Sequence, residues 1–418
     1  MSISRAQLEA VSEALAAVLP LTAPADVSLR GFFRERPDLG LRDRGLVAET
    51  VYAVLRRKRL LDRLAPGASM HRLALAALTT LQGYSVRDLE PAVGKAGVDW
   101  LRALKARPQE AIDLATQAEL PDWVIEKLRL AMPDAGILAL GQGLQRPAPL
   151  DLRVNTGIIS RDEVLEILAA DGIAATGTPY SPIGVRLGGK PAIDRHPLFV
   201  SGKIEVQDEG SQLIGFLVAP KRHDMVVDFC AGAGGKTLLL GALMRGHGRV
   251  YAFDVSLARL ANLKPRLKRS GLSNVFPVSI GSESDLRVKR LSGKIDRVLI
   301  DAPCSGLGTL RRNPDLKWRQ SVESVDELKE KQFRILSAAA HLLKVGGRLV
   351  YATCSLLAEE NEAVAERFLA IAPQFTPLSC QDILAQQKIS LDCGTYLRLY
   401  PHVHGCDGFF AAAMERTE

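Results

Sequence analysis

Four apolar runs, at 225–229, 248–254, 297–301 and 348–352, constrain the fold of this chain more than any other feature. Each reads as a buried strand, and helical stretches such as 237–244 and 256–270 separate them. Strands alternating with helices predict right-handed crossovers and a doubly wound, Rossmann-like parallel sheet from about residue 206 to the end. The tail adds two strand-like runs, 395–400 and 408–414, joined by 401–407. They predict a hairpin that supplies an antiparallel edge.

In such a sheet, ligands collect outside the carboxyl ends of the strands. Two of the four runs end in a cysteine motif, Asp301-Ala302-Pro303-Cys304 and, fifty residues on, Thr353-Cys354-Ser355. A lone cysteine at a strand end reads as small buried filler. Two thiols brought to one edge from different strands can face a single substrate.

The run at 225–229 leads into Cys230-Ala231-Gly232-Ala233-Gly234-Gly235-Lys236-Thr237. Glycines there allow a tight turn and close approach of a ligand to a helix N-terminus. Asp254 ends the next strand, where a carboxylate accepts hydrogen bonds from ribose hydroxyls. A purely structural glycine turn is the alternative. The third glycine of the NAD spacing is missing, and the P-loop spacing fails as well. S-adenosylmethionine remains as the cofactor candidate, held by residues 230–236 and Asp254.

A methyl donor beside paired thiols suggests methylation of carbon 5 of a pyrimidine. That carbon is a poor nucleophile until a thiolate adds at carbon 6 and makes an enamine of the ring. Removal of the carbon 5 proton then expels the thiolate, and a group hydrogen-bonding N3 or N4 of the base helps both steps. Asp301, Cys304 and Cys354 are the right chemical types. Chemistry alone leaves open which cysteine attacks. Arg311, Arg312, Lys317, Trp318 and Arg319 follow the Cys304 strand end. Cations mixed with an aromatic suit phosphate contact and stacking on an extruded base, so Arg312, Lys317, Trp318 and Arg319 are candidate RNA contacts.

The chain of 418 residues, 47% hydrophobic and 24% charged, has the length of two or three globular domains. Its net charge of +7 mildly favours a polyanionic partner. The six cysteines show neither a disulfide framework nor zinc-finger spacing. His402, His404 and Cys406 read as a turn rather than a metal site, so no metal is expected. No apolar stretch approaches the ~20 residues that span a bilayer. Arg5, Glu9 and Glu13 interrupt the first 25 residues, unlike a signal peptide. A cytoplasmic monomer is the expectation.

Residues 1–140 carry helical spacing throughout, as in Val47, Val51, Val54 and Leu55. The block Arg56-Arg57-Lys58-Arg59 reads as a solvated face inside the strongest helix. Lys264, Arg266, Lys268 and Arg269 read the same way. Gln145-Arg146-Pro147-Ala148-Pro149 is a linker, and 146–205 fits a small α+β module, with a capping box at Ser160 and Glu163. The third domain is then 206–418.

These motifs resemble the bacterial ribosomal RNA cytosine-5 methyltransferases of the Sun (RsmB) type. The resemblance rests on Asp228-Phe-Cys-Ala-Gly-Ala-Gly-Gly-Lys-Thr237, Asp301-Ala-Pro-Cys-Ser-Gly306, Arg312-Asn-Pro-Asp-Leu-Lys-Trp318 and Ala352-Thr-Cys-Ser355. It includes Gln207-Asp208-Glu209 and Pro401-His-Val-His-Gly-Cys-Asp-Gly-Phe-Phe410, so it covers most of 145–415. The resemblance implies a class I methyltransferase domain behind a small α+β module and an all-helical NusB-like domain that binds RNA. It assigns the attack to Cys354 and assistance in release to Cys304, with 16S ribosomal RNA as substrate. Transfer RNA, and a non-catalytic NusB-like ribosome-assembly factor, are the alternative functions. Two positions depart from the family pattern. Ala233 replaces the usual proline, and Gly281-Ser282-Glu283 stands where an aspartate contacts the adenine, with Asp285 slightly later. Ser282 or Glu283 is expected to substitute.

Overall fold

A computed structural model describes residues 2–107 and 112–418. The chain forms two compact units, one of residues 1–147 with 309–322, the other of 148–308 with 323–418.

The first unit is helical. Ser4 opens the helix Arg5–Val18 with a capping box to Gln7, which satisfies backbone N–H groups the helix leaves unpaired. Leu8, Val11 and Leu15 of that helix meet Val47, Val51, Val54 and Leu55 of the helix Leu41–Arg56 in one buried core. The basic block does not lie inside a single helix. Arg57 separates Leu41–Arg56 from Lys58–Leu64. The buried Glu119 carboxylate accepts from the backbone N–H groups of Arg59 and Leu60, both at 3.0 Å, and so caps the second helix.

The second unit begins with a four-stranded antiparallel sheet, a ferredoxin-like α+β module. Its strands are β1 (Leu150–Val154), β2 (Ala175–Gly177), β3 (Gly184–Leu187) and β4 (Ile204–Val206), in the order β2-β3-β1-β4. The Ser160–Glu163 capping box opens its helix Arg161–Ala170.

The large sheet holds β5 (Met225–Asp228), β6 (Arg249–Asp254), β7 (Val275–Ser279), β8 (Ile295–Asp301), β9 (Leu343–Thr353), β10 (Phe375–Leu378), β11 (Tyr396–Leu399) and β12 (Phe409–Arg416). The order is β10-β12-β9-β8-β5-β6-β7, with β11 also paired to β12. Strands β5 to β9 are mutually parallel and β12 is antiparallel to its neighbours. Alternate residues feed two separate cores. Val226, Val250, Leu299 and Val350 pack on one face, and Val227, Val298, Leu349 and Tyr351 on the other. Side chains of a strand alternate between faces, so a sheet covered on both needs continuous apolar runs, as this one has.

The C-terminal hairpin forms, but not as an edge. Strand β12 lies inside the sheet between β9 and β10, and its Phe409–Met414 stretch is buried. The helix Leu257–Ser270 also differs from the solvated face expected of it. Arg266 pairs with Glu205 of β4 at 2.8 Å and Arg269 pairs with the same carboxylate, which holds the helix against the small module.

Candidate active site

Parallel pairing brings the carboxyl ends of β5, β6, β8 and β9 to one edge of the sheet. The order changes direction between β8 and β5, which is where doubly wound sheets hold ligands. Asp228, Asp254, Asp301 and Thr353 are the last residues of those four strands.

Beyond β5 the chain turns sharply. Ala231 donates to Phe253 O and Gly234 to Ala231 O, each at 2.8 Å. Gly234 has φ +83° and a Cβ there would meet Leu263 at 2.1 Å, so only glycine fits before the helix Gly235–Leu243. At Gly232, with φ +56°, a Cβ would meet nothing within 4 Å. That side of the turn is open. Asp254 is 5% exposed, and its carboxylate accepts from Gly232 N–H at 2.8 Å and Ser256 N–H at 2.7 Å. Each oxygen keeps a lone pair for a further donor. An open glycine turn, a helix N-terminus and an oriented carboxylate fit a nucleoside-bearing cofactor such as S-adenosylmethionine.

Of the other expected cofactor residues, Cys230 and Ala231 are in the turn, and burial holds the Cys230 thiol well above its usual value. Ala233 offers its carbonyl to Arg266 at 2.7 Å. Ser282 follows β7, its hydroxyl 3.0 Å from that of Ser284. Glu283 lies 3.5 Å from Arg334, while Asp285 accepts from Gly281 N–H and Arg287 N–H as a cap. Lys236 turns instead to Asp301, 2.7 Å away. Burial works against the Lys236 charge, but Asp301 outweighs it and the pKa is raised. Beneath them Asp228 is fully enclosed, and burial raises its carboxyl to about 7 against the opposing hydrogen bond from Thr237.

The two cysteine motifs meet. Register pairs Asp301 with Ala352, so the loops after β8 and β9 leave the sheet side by side. The Cys304 and Cys354 sulfurs are 3.4 Å apart, both thiols free and half-buried. Contact with Cys354, together with burial, holds the Cys304 thiol well above its usual value. Phe409, at the start of β12, lies with its ring 5.3 Å from the Lys236 ammonium.

The basic-aromatic stretch folds differently from its reading as an open RNA contact. Residues 309–322 belong to the helical unit. Lys317 is 4% exposed and donates to Arg56 O at 3.0 Å and Glu119 O at 2.7 Å. Burial lowers its pKa, with Glu119 opposing. Trp318 donates from its indole to Leu55 O at 2.8 Å and packs on the helical core. Both residues anchor the segment within the helices, Lys317 buried and Trp318 half-buried. Arg319 lies 3.5 Å from Asp315, and Arg312 is half-buried.

Sequence reading missed the polar layer under the thiols. Glu360, Gln332 and Asn361 are buried and bind the residues flanking both cysteines. Their signal was the polar Glu359-Glu360-Asn361-Glu362 just after a strand-end motif, but nothing local says which of these turns inward. Among the described residues no group of three or more His, Cys, Asp or Glu could hold a metal ion, and no helix is long and apolar enough to cross a membrane.

Residues 215–415 match the model of the family described as 16S rRNA methyltransferase RsmB/F, and 120–194 match its ferredoxin-like domain. The chain is 34% identical over 426 residues to the probable ribosomal RNA small subunit methyltransferase B of Synechocystis, covering 94% of this chain and 95% of that one. The crystal structure of PH0851 superposes with a TM-score of 0.80 at 26% identity and 99% coverage of both chains. A methyltransferase homolog protein from Pyrococcus horikoshii gives 0.58 at 30% identity, over 71% of this chain and all of that one.

Proposed function

Because the chain belongs to the RsmB/F family of 16S rRNA methyltransferases, we propose that it methylates carbon 5 of a cytosine in small-subunit ribosomal RNA through a cysteine-linked intermediate. The observation that carries this reading is the pair of thiols 3.4 Å apart beside the Lys236–Asp301 pair. An enzyme methylating a nitrogen or a hydroxyl has no use for two adjacent thiols. S-adenosylmethionine, bound at residues 230–236 and Asp254, supplies an electrophilic methyl on a sulfonium.

The side chains divide the work. Cys354 sulfur adds to carbon 6 of the cytosine, which passes electron density to carbon 5. The Asp301 carboxylate, side chain 33% exposed, accepts a hydrogen bond from the exocyclic amine and orients the ring. Lys236 keeps that carboxylate in place and sets a buried positive charge within electrostatic reach of the Cys354 sulfur. After methylation, a solvent water takes the carbon 5 proton, the C–H electron pair restores the 5,6 double bond, and Cys354 leaves carbon 6 as a thiolate. Cys304 retains its own proton, so it donates a hydrogen bond to the departing sulfur.

Variants of the two cysteines separate these roles. Cys354→Ala forms no adduct, so it should be inactive and trap no RNA. Cys304→Ala still forms the adduct but releases it poorly, so a protein–RNA band stable in a denaturing gel should accumulate. The reverse pattern overturns the assignment, and retained methylation in both variants overturns the paired-thiol chemistry. Bisulfite sequencing of the products reads the substrate, and methylation confined to transfer RNA would exclude the ribosomal one.

A further inference from the structure

The last ladder bond between β8 and β9 is Ala302 N–H to Ala352 O at 2.8 Å. Beyond it the two cysteine loops leave the sheet, and their backbone groups need other partners. Glu360, 0% exposed, supplies them. One carboxylate oxygen accepts from Ser305 N–H at 2.8 Å and from the Gln332 amide at 2.9 Å. The other accepts from the hydroxyls of Ser305 and Ser355, which are themselves 3.1 Å apart. Ser305 follows Cys304 and Ser355 follows Cys354. Gln332 also donates to Pro303 O at 2.9 Å, on the other side of Cys304. Asn361, next in the chain, accepts from Thr353 and donates to Ser355 O, so it fixes both neighbours of Cys354.

We propose that Glu360 is a positioning residue for the reaction: its carboxylate clamps Ser305 to Ser355 and so sets the separation and aim of the Cys304 and Cys354 thiols. The inference rests on the paired-thiol chemistry proposed above. A carboxylate suits this place because it accepts from all four converging donors at once. An amide keeps one accepting oxygen: facing it to Ser305 N–H and Gln332 turns its N–H₂ to the two serine hydroxyls, which must then swing from donating to accepting, so the pull that holds Ser305 to Ser355 is lost. The same negative charge adds to the Cys354 contact and the burial that keep Cys304 protonated. Glu360 is therefore coupled to both roles without touching the base.

Glu360→Gln and Ser355→Ala in the full chain test this. Circular dichroism reads folding, and steady-state kinetics read kcat and the KM for RNA. Iodoacetamide labelling followed by mass spectrometry reads each thiol as a function of pH. Glu360→Gln should lower kcat about 100-fold, the scale of an ångström of misplacement, with the KM for RNA unchanged. Its Cys304 labelling curve should move to lower pH, because a neighbouring negative charge has gone. Ser355→Ala keeps the carboxylate and removes one donor, so kcat should fall about fivefold. Near-wild-type turnover or an unmoved Cys304 curve in Glu360→Gln overturns the proposal. If that variant fails to fold, wild-type turnover in Ser355→Ala overturns it instead. Labelling needs neither RNA nor a methyl donor. A wild-type protein that fails to methylate cytosine therefore sinks the function, while the labelling curves still decide the role of Glu360.

Discussion

Asp228 illustrates what a single buried group does to this site. One of its oxygens accepts from the Thr237 hydroxyl at 2.6 Å, and the side chain is only 1% exposed. Burial raises the carboxyl from 3.8 in its ordinary state to about 7 in the fold. The folded protein thus holds this proton more tightly than the unfolded chain does. Its contribution is full below about pH 4 and is lost as the pH rises through about 7. Asp228→Asn removes that titration while an amide oxygen still accepts from Thr237. Its stability relative to wild type should increase between pH 5 and pH 8, by up to about 3 kcal/mol. Thermal melts at the two pH values check this, and equal differences at both would mean that Asp228 does not titrate in that range.

Among the elements, the turn before β12 reaches the cysteine loops through glycine. Gly308 donates to Cys354 O, and Gly408 donates to Gly308 O, each at 2.8 Å. A Cβ on Gly308 would lie 2.2 Å from Gly408 O and 2.8 Å from Cys354 O. Both obstacles are backbone, so no side chain can swing aside. Gly308→Ala should cost about 1–3 kcal/mol in urea denaturation and sharply reduce methylation. Wild-type activity in that variant would mean that the hairpin turn moves freely relative to the thiols. The same contact explains why β12 sits inside the sheet. Its start must reach the loops after β8 and β9, while β10 covers its far side.

At the scale of the molecule, chain order and folding unit diverge at 309–322. The segment follows β8 in sequence yet packs with the helices of 1–147. Leu310 is 2% exposed and Trp318 joins the helical core. A chain beginning at residue 148 would leave this apolar segment without its partners. It should aggregate, and replacing Leu310 and Trp318 with Ser in that truncated chain should restore solubility. Light scattering on the two truncated proteins reads the difference, and equal solubility would show that the segment finds another cover.

Local patterns in the sequence determined the elements and the edge on which they converge. Continuous apolar runs specified strands buried on both faces, and strand–helix alternation specified parallel pairing. Together these brought Cys304, Cys354, Asp254 and the glycine turn to the carboxyl edge, because backbone geometry alone delivers successive parallel strand ends to one side. Burial of a charge is not local, and there only tertiary structure decided. Lys317 looked like a surface cation, yet its bonds run to Arg56 and Glu119, 261 and 198 residues away. Arg266 lay on an apparently solvated helix face until Glu205 of β4 met it. Glu360 is one of three glutamates in four residues, and only the converging donors of Ser305, Ser355 and Gln332 single it out. A polar side chain is drawn inward only when distant groups assemble to satisfy it, and no periodicity in the chain encodes that assembly.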